Sequence, residues 1–399
     1  MSYRMIYDQS VSSIKFKSNF IFGLFFIWVV VSSVYYFQQL LSGNITASYE
    51  DSILSKAAKY LIALFFSVYF LIRSGSFIVP SIILMLLGFL LPWYLFLPEY
   101  IYLYDSYIVI LTMIGLCSVL GTATRSMIVR LGKIIIATGV LVSVIAVLEV
   151  SFLTDVYADY WAATGGVRAI STLLNPNNLG VYLGACLILC FAIPGAILGK
   201  ALSIVIIMIG MYLSGSRTAW LSFAVVFSLW FLKFGMERVT KTSRIVFVIL
   251  AILAGIVLAL IVSSQASDVA RLQDFTSANI RLEKYQMYLN GFNLDYFFPD
   301  FDGARLFLVS ESSYFLLINA FGIVGILFII ALVSLSYGFR ASRVPFFPYL
   351  VLYYIVVGVF ENMVNSFPNN QLFLLSLGSI LTLRPFVKQI SDLELKTVR

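Results

Sequence analysis

The sequence predicts an all-α, polytopic integral membrane protein with about twelve transmembrane helices, on three observations. Charged residues make up only 11% of the 399 residues and hydrophobic residues 61%, whereas a soluble domain carries about 25% charged residues. Apolar runs of roughly 20 residues, the length that spans a bilayer, recur along the chain. Lys and Arg fall mainly in every second connection between those runs, which is the pattern of a membrane protein with a fixed orientation.

The twelve predicted spans are separated by polar or basic connections. They cover, in order, 20–41, 57–73, 76–97, 101–121, 132–152, 178–197, 200–214, 217–234, 244–264, 313–336, 346–365 and 368–385. The first apolar run is too long for the apolar region of a cleavable signal peptide, so we expect it to remain as a membrane helix. Because low-complexity tracts and clear repeats are absent, residues 1–399 are predicted to form a single membrane domain.

The positions of the basic residues predict that both chain ends face the cytoplasm. In that orientation eighteen of the 26 Lys and Arg residues lie inside, as the positive-inside rule requires. The formal net charge of +7 is then a consequence of membrane topology, and no nucleic-acid partner is expected. Most acidic residues fall outside, which suits either an extracytoplasmic reaction centre or ordinary solvation of the outer connections.

The residue types that the chain lacks or uses rarely restrict its chemistry. It contains no histidine, which removes every mechanism that uses imidazole as a base. Its three cysteines, Cys117, Cys186 and Cys190, all fall inside predicted spans and are expected to be small core residues. The sequence therefore predicts neither a metal site nor any other cofactor.

Arg217 lies between two long apolar runs, in the stretch "GMYLSGSRTAWLSF". The predicted topology places it at the outer start of the eighth span, where Ser216 can cap the helix after a tight turn at Ser214–Gly215. A helix N-terminus beside a guanidinium suits phosphate, because free N–H groups and the guanidinium fork both match phosphate oxygens. The alternative is an interfacial arginine that reaches toward lipid headgroups.

A second outer helix start lies in "STLLNPNNLGVYLG", residues 171–184. Asn175 or a neighbour can cap this helix, Pro176 suits its first turn, and Asn177–Asn178 supply amide donors and acceptors. Arg168, a few residues upstream, adds a second possible outer cation. Asn-Pro is also an ordinary turn signal, so the motif by itself is open to both interpretations.

Two outer connections, 153–177 and 265–312, are longer than the rest, and a long loop is uncommon unless it is functional. Within the second, "SANIRLEKYQMYLNGF" (277–292) predicts a short amphipathic helix capped by Ser277 or Asn279. Arg281 and Lys284 are neighbours on it at i, i+3. Its predicted apolar face consists of Ile280, Tyr285, Tyr288 and Leu289.

The remaining candidates are carboxylates near the predicted outer surface. Asp295, Asp300 and Asp302 alternate with aromatic rings, an arrangement that suits sugars but is equally typical of an interfacial aromatic belt. Glu311, just before the tenth span, is a candidate general base or an acid that complements the helix dipole. Glu361, near the outer end of the eleventh span, is a functional candidate or the structural partner of an arginine.

Four stretches resemble, in chain order, the superfamily of O-antigen polymerases and O-antigen ligases. They are "NPNNLGVYLG", "SGSRTAWLSF", "IRLEKYQMYL" before an outer loop, and "SSYFLLINAFGIVGILFII", within about 170–336. The resemblance implies a glycosyltransferase of the bacterial inner membrane with its active site on the periplasmic side. It also implies an undecaprenyl-pyrophosphate-linked oligosaccharide as substrate. A polysaccharide chain-length regulator is a candidate partner that the sequence itself does not indicate.

The resemblance also implies roles for particular residues. Arg217 and Arg281 match the arginines associated with the lipid pyrophosphate. We add Arg168 and Arg305 as hypothetical weaker anion contacts. The ligases place a histidine where this chain has Glu311, which favours the polymerase branch with Glu311 as the base. The remaining predicted substrate-binding residues are Asn175, Asn178, Lys284, Tyr285, Tyr288 and Glu361. The alternatives are a flippase for the same lipid-linked unit, or a ligase.

Overall fold

Every regular element in the described part of this computed structural model is a helix. The structure describes residues 40–41, 125–164, 166–193, 196–230, 276–291, 294–298, 312–323, 325–327, 329–330, 346–362, 369 and 372. We label its α-helices in chain order. They are α1 (Arg125–Phe152), α2 (Thr154–Thr164), α3 (Pro176–Ala192), α4 (Ile197–Ser214), α5 (Arg217–Trp230), α6 (Thr276–Asn290), α7 (Ser313–Phe321) and α8 (Phe346–Phe360). Two 3-10 turns, Ser171–Leu173 and Leu294–Phe297, precede α3 and follow α6.

Two of these helices are long and apolar enough to cross a membrane. They are the segment Val129–Phe152 of α1, with 24 residues, and the whole of α4, with 18 residues. The all-helical class is thus confirmed for the described residues, together with two segments of membrane-spanning length. The predicted spans 57–73, 76–97, 101–121 and 244–264 lie outside the described residues.

Some helices begin or end a few residues from the approximate predicted spans. Helix α3 begins at Pro176, two residues before the predicted span, in agreement with the predicted Asn175 cap. It ends at Ala192, short of the predicted 197, since Ile193 is extended (φ −89°, ψ 136°), as expected for a residue that precedes proline. Helix α8 ends at Phe360, five residues before the predicted end.

Two predicted segments also differ in kind from what is found. The predicted outer loop 153–177 contains α2 and a 3-10 turn, because Tyr157, Tyr160 and Trp161 bury one face of α2. The predicted span 313–336 is interrupted at Gly322, which has φ 55°. A Cβ there would lie 2.8 Å from the Phe297 carbonyl carbon, so the close approach of the second 3-10 turn requires glycine at this position.

Helix α3 lies at the centre of the described bundle, packed against α1, α4, α5 and α8. All its residues from Leu179 to Cys190 are buried. Cys186 and Cys190 are free thiols in this core, which confirms their predicted role as small core residues. Tyr353 of α8 donates a hydrogen bond to the Val181 carbonyl oxygen at 3.0 Å, so a polar contact also joins α8 to α3.

Six helix ends meet at one end of the bundle. The C-terminal ends of α1, α4 and α8 lie here beside the N-terminal ends of α3, α5 and α7. Hydrogen bonds join the two sets of ends, either directly or through the segment that precedes α3. Helix α6 packs on the same end through Tyr285, whose hydroxyl donates to the Val359 carbonyl oxygen. Polar side chains from segments far apart in sequence are therefore brought together here.

The close contact between α1 and α4 at Gly210 gives a first testable prediction. A Cβ at Gly210 would lie 2.6 Å from the Ser143 Cβ and 2.9 Å from its Cα. We expect Gly210→Ala to lower the stability of the purified protein by about 1–3 kcal/mol, because backbone must shift to relieve the overlap. Thermal unfolding in detergent measures the effect.

Gly199→Ala is the matched control in the same helix. A Cβ at Gly199 meets nothing within 4 Å, so the only change is the higher helix propensity of alanine, worth up to about 1 kcal/mol. We expect an unchanged or raised midpoint for this variant. Equal losses for both variants would contradict close packing between α1 and α4.

Candidate functional site

Glu361 lies directly after the last residue of α8 and joins three other segments. Its Oε1 accepts a hydrogen bond from Arg281 Nη2 of α6 at 3.1 Å and one from Thr218 Oγ1 of α5 at 3.2 Å. Its Oε2 accepts a longer bond, 3.4 Å, from Asn177 Nδ2 of α3. The Arg281 and Glu361 side chains are 22% and 16% exposed, so this ion pair is mostly buried yet reachable from outside.

A second arginine reaches the same place through Asn177. Arg168 Nη2 donates to Asn177 Oδ1 at 2.6 Å, and Arg168 Nε donates to the Ser214 carbonyl oxygen at 2.9 Å. Asn177 therefore bridges Arg168 and the Glu361 carboxylate. We call the five residues Arg168, Asn177, Thr218, Arg281 and Glu361 the Glu361 cluster.

The predicted helix starts explain how α3 and α5 present their cluster residues. The Asn175 side chain accepts from the N–H groups of Asn177 and Asn178 at 2.8 and 3.2 Å, with Pro176 in the first turn. This confirms the predicted cap and fixes Asn177 in the first turn of α3.

The start of α5 is confirmed in the same way. The Ser216 hydroxyl accepts from the Ala219 N–H at 3.4 Å, and Gly215 turns the chain with φ 60°. A Cβ at Gly215 would lie 3.2 Å from Arg168 Nε, so this turn also makes room for the arginine side chain. The positive ends of two helix dipoles therefore lie at the cluster.

Helix α6 is held against α7 and α8 by aromatic rings. Tyr285 and Tyr288 pack on Phe315 of α7, with ring centroids 5.0 and 4.3 Å apart. The predicted apolar face was therefore wrong in part, since Ile280 and Leu289 are 44% and 63% exposed. The helix turns the face that bears Arg281 toward the bundle, because that arginine reaches Glu361. The predicted cap was also wrong, since α6 begins at Thr276 and includes both Ser277 and Asn279.

The segment that precedes α7 is anchored on the end of α8. Ser312 Oγ donates to the Gly358 carbonyl oxygen at 3.2 Å, and Ser313 Oγ donates to that of Glu361 at 2.8 Å. The start of α7 is thereby fixed next to the cluster. Glu311 and Arg305, the predicted base and a predicted anion contact, lie outside the described residues.

The other predicted site residues lie close by with different roles. Arg217 is the half-buried first residue of α5, next to Thr218, and Lys284 is half-buried one turn after Arg281. Asn178 accepts a hydrogen bond from Asn369 Nδ2 at its backbone oxygen, at 3.0 Å, so this contact is structural. Thr218 was missing from the predicted residues, and Asn177 was named at the second helix start but not among the substrate-binding residues; each adjoins a predicted site residue.

Glu149, near the end of α1, holds the loop that presents Arg168. Its Oε1 accepts from the Tyr157 hydroxyl at 2.7 Å, and its Oε2 accepts from the N–H groups of Ile170 and Ser171 at 3.1 and 3.0 Å. Ser171 and Leu174 have positive φ, 48° and 58°, which is strained for residues other than glycine. The sequence signal that could have revealed Glu149 is a lone carboxylate near the end of a predicted span.

The electrostatics of the cluster suit both anion binding and proton transfer. Burial raises the pKa of the Glu361 carboxyl above its ordinary value, while the charge of Arg281 and the hydrogen bonds from Arg281 and Thr218 oppose that rise. The two arginines can contact anionic oxygens, and a carboxylate with a raised pKa can accept a proton. No protein-family model, curated protein or solved structure matches this chain.

Proposed function

We propose that this chain is an O-antigen polymerase of the bacterial inner membrane. It transfers the growing glycan from undecaprenyl pyrophosphate onto a new undecaprenyl-pyrophosphate-linked repeat unit at the periplasmic face. The observation that carries this proposal is the convergence of Arg168 and Arg281, 113 positions apart by their numbers, on one carboxylate at the end of a helical bundle. The motif resemblance within 170–336 supports the same activity.

The arginines provide the anion site that a lipid-pyrophosphate donor needs. A guanidinium can contact two phosphate oxygens at once, and the dipoles of α3 and α5 add positive potential at the same place. Arg217, adjacent to Thr218 in the first turn of α5, contributes a third cation to this end of the bundle. Lipid pyrophosphate is a good leaving group, so stabilising its developing charge supplies a few kcal/mol of transition-state stabilisation without a metal.

The distribution of the basic residues supports a periplasmic location for the cluster. The start of α1 bears Arg125, Arg130 and Lys133, and Lys200 lies in the first turns of α4. The cluster lies at the opposite ends of these two helices, where Ser214 of α4 accepts from Arg168. Because basic residues favour the cytoplasmic side, this orientation directs the cluster outward, where lipid-linked repeat units are polymerised.

A complementation experiment tests the proposed function. We expect a deletion strain to make lipopolysaccharide core with a single repeat unit, and the parent gene to restore the long ladder. Arg168→Ala should leave the single-repeat product, because pyrophosphate loses one of its cations. Lys133→Ala is the matched control: this exposed lysine lies about 24 Å from Glu149 along α1 at 1.5 Å per residue, and the ladder should be normal.

The other outcomes distinguish the alternatives. Core without any repeat unit in the deletion strain would indicate a ligase or a flippase. A full ladder from Arg168→Ala at normal protein level would remove the arginine site from the proposal. In reconstituted vesicles, movement of the lipid-linked unit across the bilayer without new glycosidic bonds would indicate a flippase.

A further inference from the structure

We propose that Glu361 is the general base of the transfer and that its ion pair with Arg281 keeps it a weaker base until the donor binds. In the resting site Arg281 pairs with Glu361, and the donor pyrophosphate replaces that carboxylate as the partner of the arginine. The freed carboxylate then takes the proton of the acceptor hydroxyl. This inference rests on the proposed function, and it names the residue that reacts with the acceptor.

Among the carboxylates that the structure describes, Glu361 has the surroundings that a general base needs. Glu149 is completely buried and its oxygens already accept from three donors. Asp155, Asp159 and Glu283 are exposed on the surfaces of α2 and α6. Glu361, among the side chains that the structure describes, combines direct contact with a cluster cation and partial access from outside.

The hydrogen bonds around Glu361 are arranged for an exchange of partners. Arg281 Nη2 contacts Oε1 at 3.1 Å, and a pyrophosphate with several charged oxygens competes strongly for the same guanidinium. When Arg281 turns to the phosphate, Thr218 and Asn177 still hold the two carboxylate oxygens in place. The base therefore keeps its position while it loses its counter-charge.

Loss of that counter-charge makes the carboxylate a better base. Burial already raises the pKa of Glu361, and the charge of Arg281 is the largest effect that opposes the rise. When Arg281 leaves the carboxylate, less opposes the effect of burial on the pKa, so the proton affinity of Glu361 increases. Donor binding thus activates the base, so the acceptor hydroxyl is deprotonated only when a leaving group is in place.

The step is balanced without a metal or an oxidant. The acceptor hydroxyl oxygen forms a bond to the anomeric carbon of the donor sugar, and the bond from that carbon to the pyrophosphate oxygen breaks. The bonding electron pair leaves with the lipid pyrophosphate, whose charge the arginines stabilise. The hydroxyl proton moves to Glu361 and is later released to the leaving pyrophosphate or to solvent.

Glu361→Gln separates proton transfer from anion binding. This variant keeps the shape of the side chain but does not accept a proton or compete as an anion for Arg281. With full-length protein in nanodiscs, we expect polymerisation of purified lipid-linked repeat to fall at least ~100-fold. Inorganic pyrophosphate, measured by calorimetry, should bind as tightly as to the parent or more tightly. The parent rate should fall at acid pH with unit slope, and Glu361→Asp should retain part of the activity.

Each result decides one question. Normal polymerisation by Glu361→Gln, with loss of activity in Glu311→Gln, would overturn the role of Glu361 and leave the polymerase function intact. Weaker pyrophosphate binding and a lower unfolding midpoint in Glu361→Gln would overturn the role of Glu361 as the base and would indicate a purely structural role. No polymerisation by the parent protein, with pyrophosphate binding intact, would refute the proposed function and this inference together.

Discussion

Under the proposed polymerase function, replacing Arg281 with alanine is expected to abolish long glycan chains and to lower the polymerisation rate by at least ~10²–10³-fold. Removal of one preorganised charge donor from a developing oxyanion has effects of this size in other enzymes. Arg281 also helps to hold α6 on the bundle, through its 3.1 Å contact with Glu361. The rate is measured with purified lipid-linked repeat and protein matched for amount.

Two further variants distinguish a loss of activity caused by the missing charge from one caused by lower stability of the protein. Arg281→Ala leaves the mostly buried Glu361 without its counter-charge, which by itself destabilises the protein. The double variant Arg281→Ala with Glu361→Gln removes that unpaired charge, so we expect its unfolding midpoint to recover while activity stays absent. Arg281→Lys keeps a point charge without the fork, and it should retain a small fraction of the rate. Recovered activity in the double variant would show that Arg281 acts only by neutralising Glu361 and that Glu361 is not the base.

Replacing Glu149 with alanine is expected to have the largest effect on stability. The variant leaves the Tyr157 hydroxyl and the N–H groups of Ile170 and Ser171 without their acceptor in a fully buried site. Each buried donor left unsatisfied costs about 1–3 kcal/mol, so the total loss is several kcal/mol. We expect a much lower thermal midpoint in detergent and little protein in the membrane.

The matched controls for Glu149 lie in the same region. Glu149→Gln keeps one oxygen for the two N–H groups and an amide that can donate to the Tyr157 oxygen, so most of the stability should return. Asp159→Ala removes an exposed carboxylate from α2, and a surface change of this kind stays within about 0.5 kcal/mol. Equal midpoints for Glu149→Ala and Asp159→Ala would show that Glu149 does not hold the loop.

Two of the three predicted helix caps, signals that lie within one turn of chain, were correct, whereas the cap of α6 was not. The caps of α3 and α5 follow from Asn175 and Ser216, whose side chains bond N–H groups two or three residues later. The free cysteines of α3 were expected in the core because they lie within an apolar run. These features depend on neighbouring residues alone, so a sequence contains what is needed to predict them.

An arginine partner for Glu361 was one of two interpretations of the sequence, but which distant segments meet was not predicted. Arg281 and Glu361 are 80 residues apart, and Asn177 and Glu361 are 184 apart. The exposure of Ile280 and Leu289 on α6 also results from a contact between distant segments. An amphipathic pattern assigns apolar residues to the buried face, whereas here the inward face combines Arg281, which pairs with Glu361, with the rings of Tyr285 and Tyr288.

The sequence by itself determined the helical class, the capped starts of α3 and α5 with their free N–H groups, and the arginines that suit an anion. Those properties come from composition, periodicity and short-range hydrogen bonding. The tertiary structure alone decided that Glu361 joins Arg168, Asn177, Thr218 and Arg281, and that Glu149 holds the strained loop before α3. Packing around α3 is the physical reason, because it brings six helix ends to one place, and the burial there leaves each carboxylate dependent on donors from remote segments.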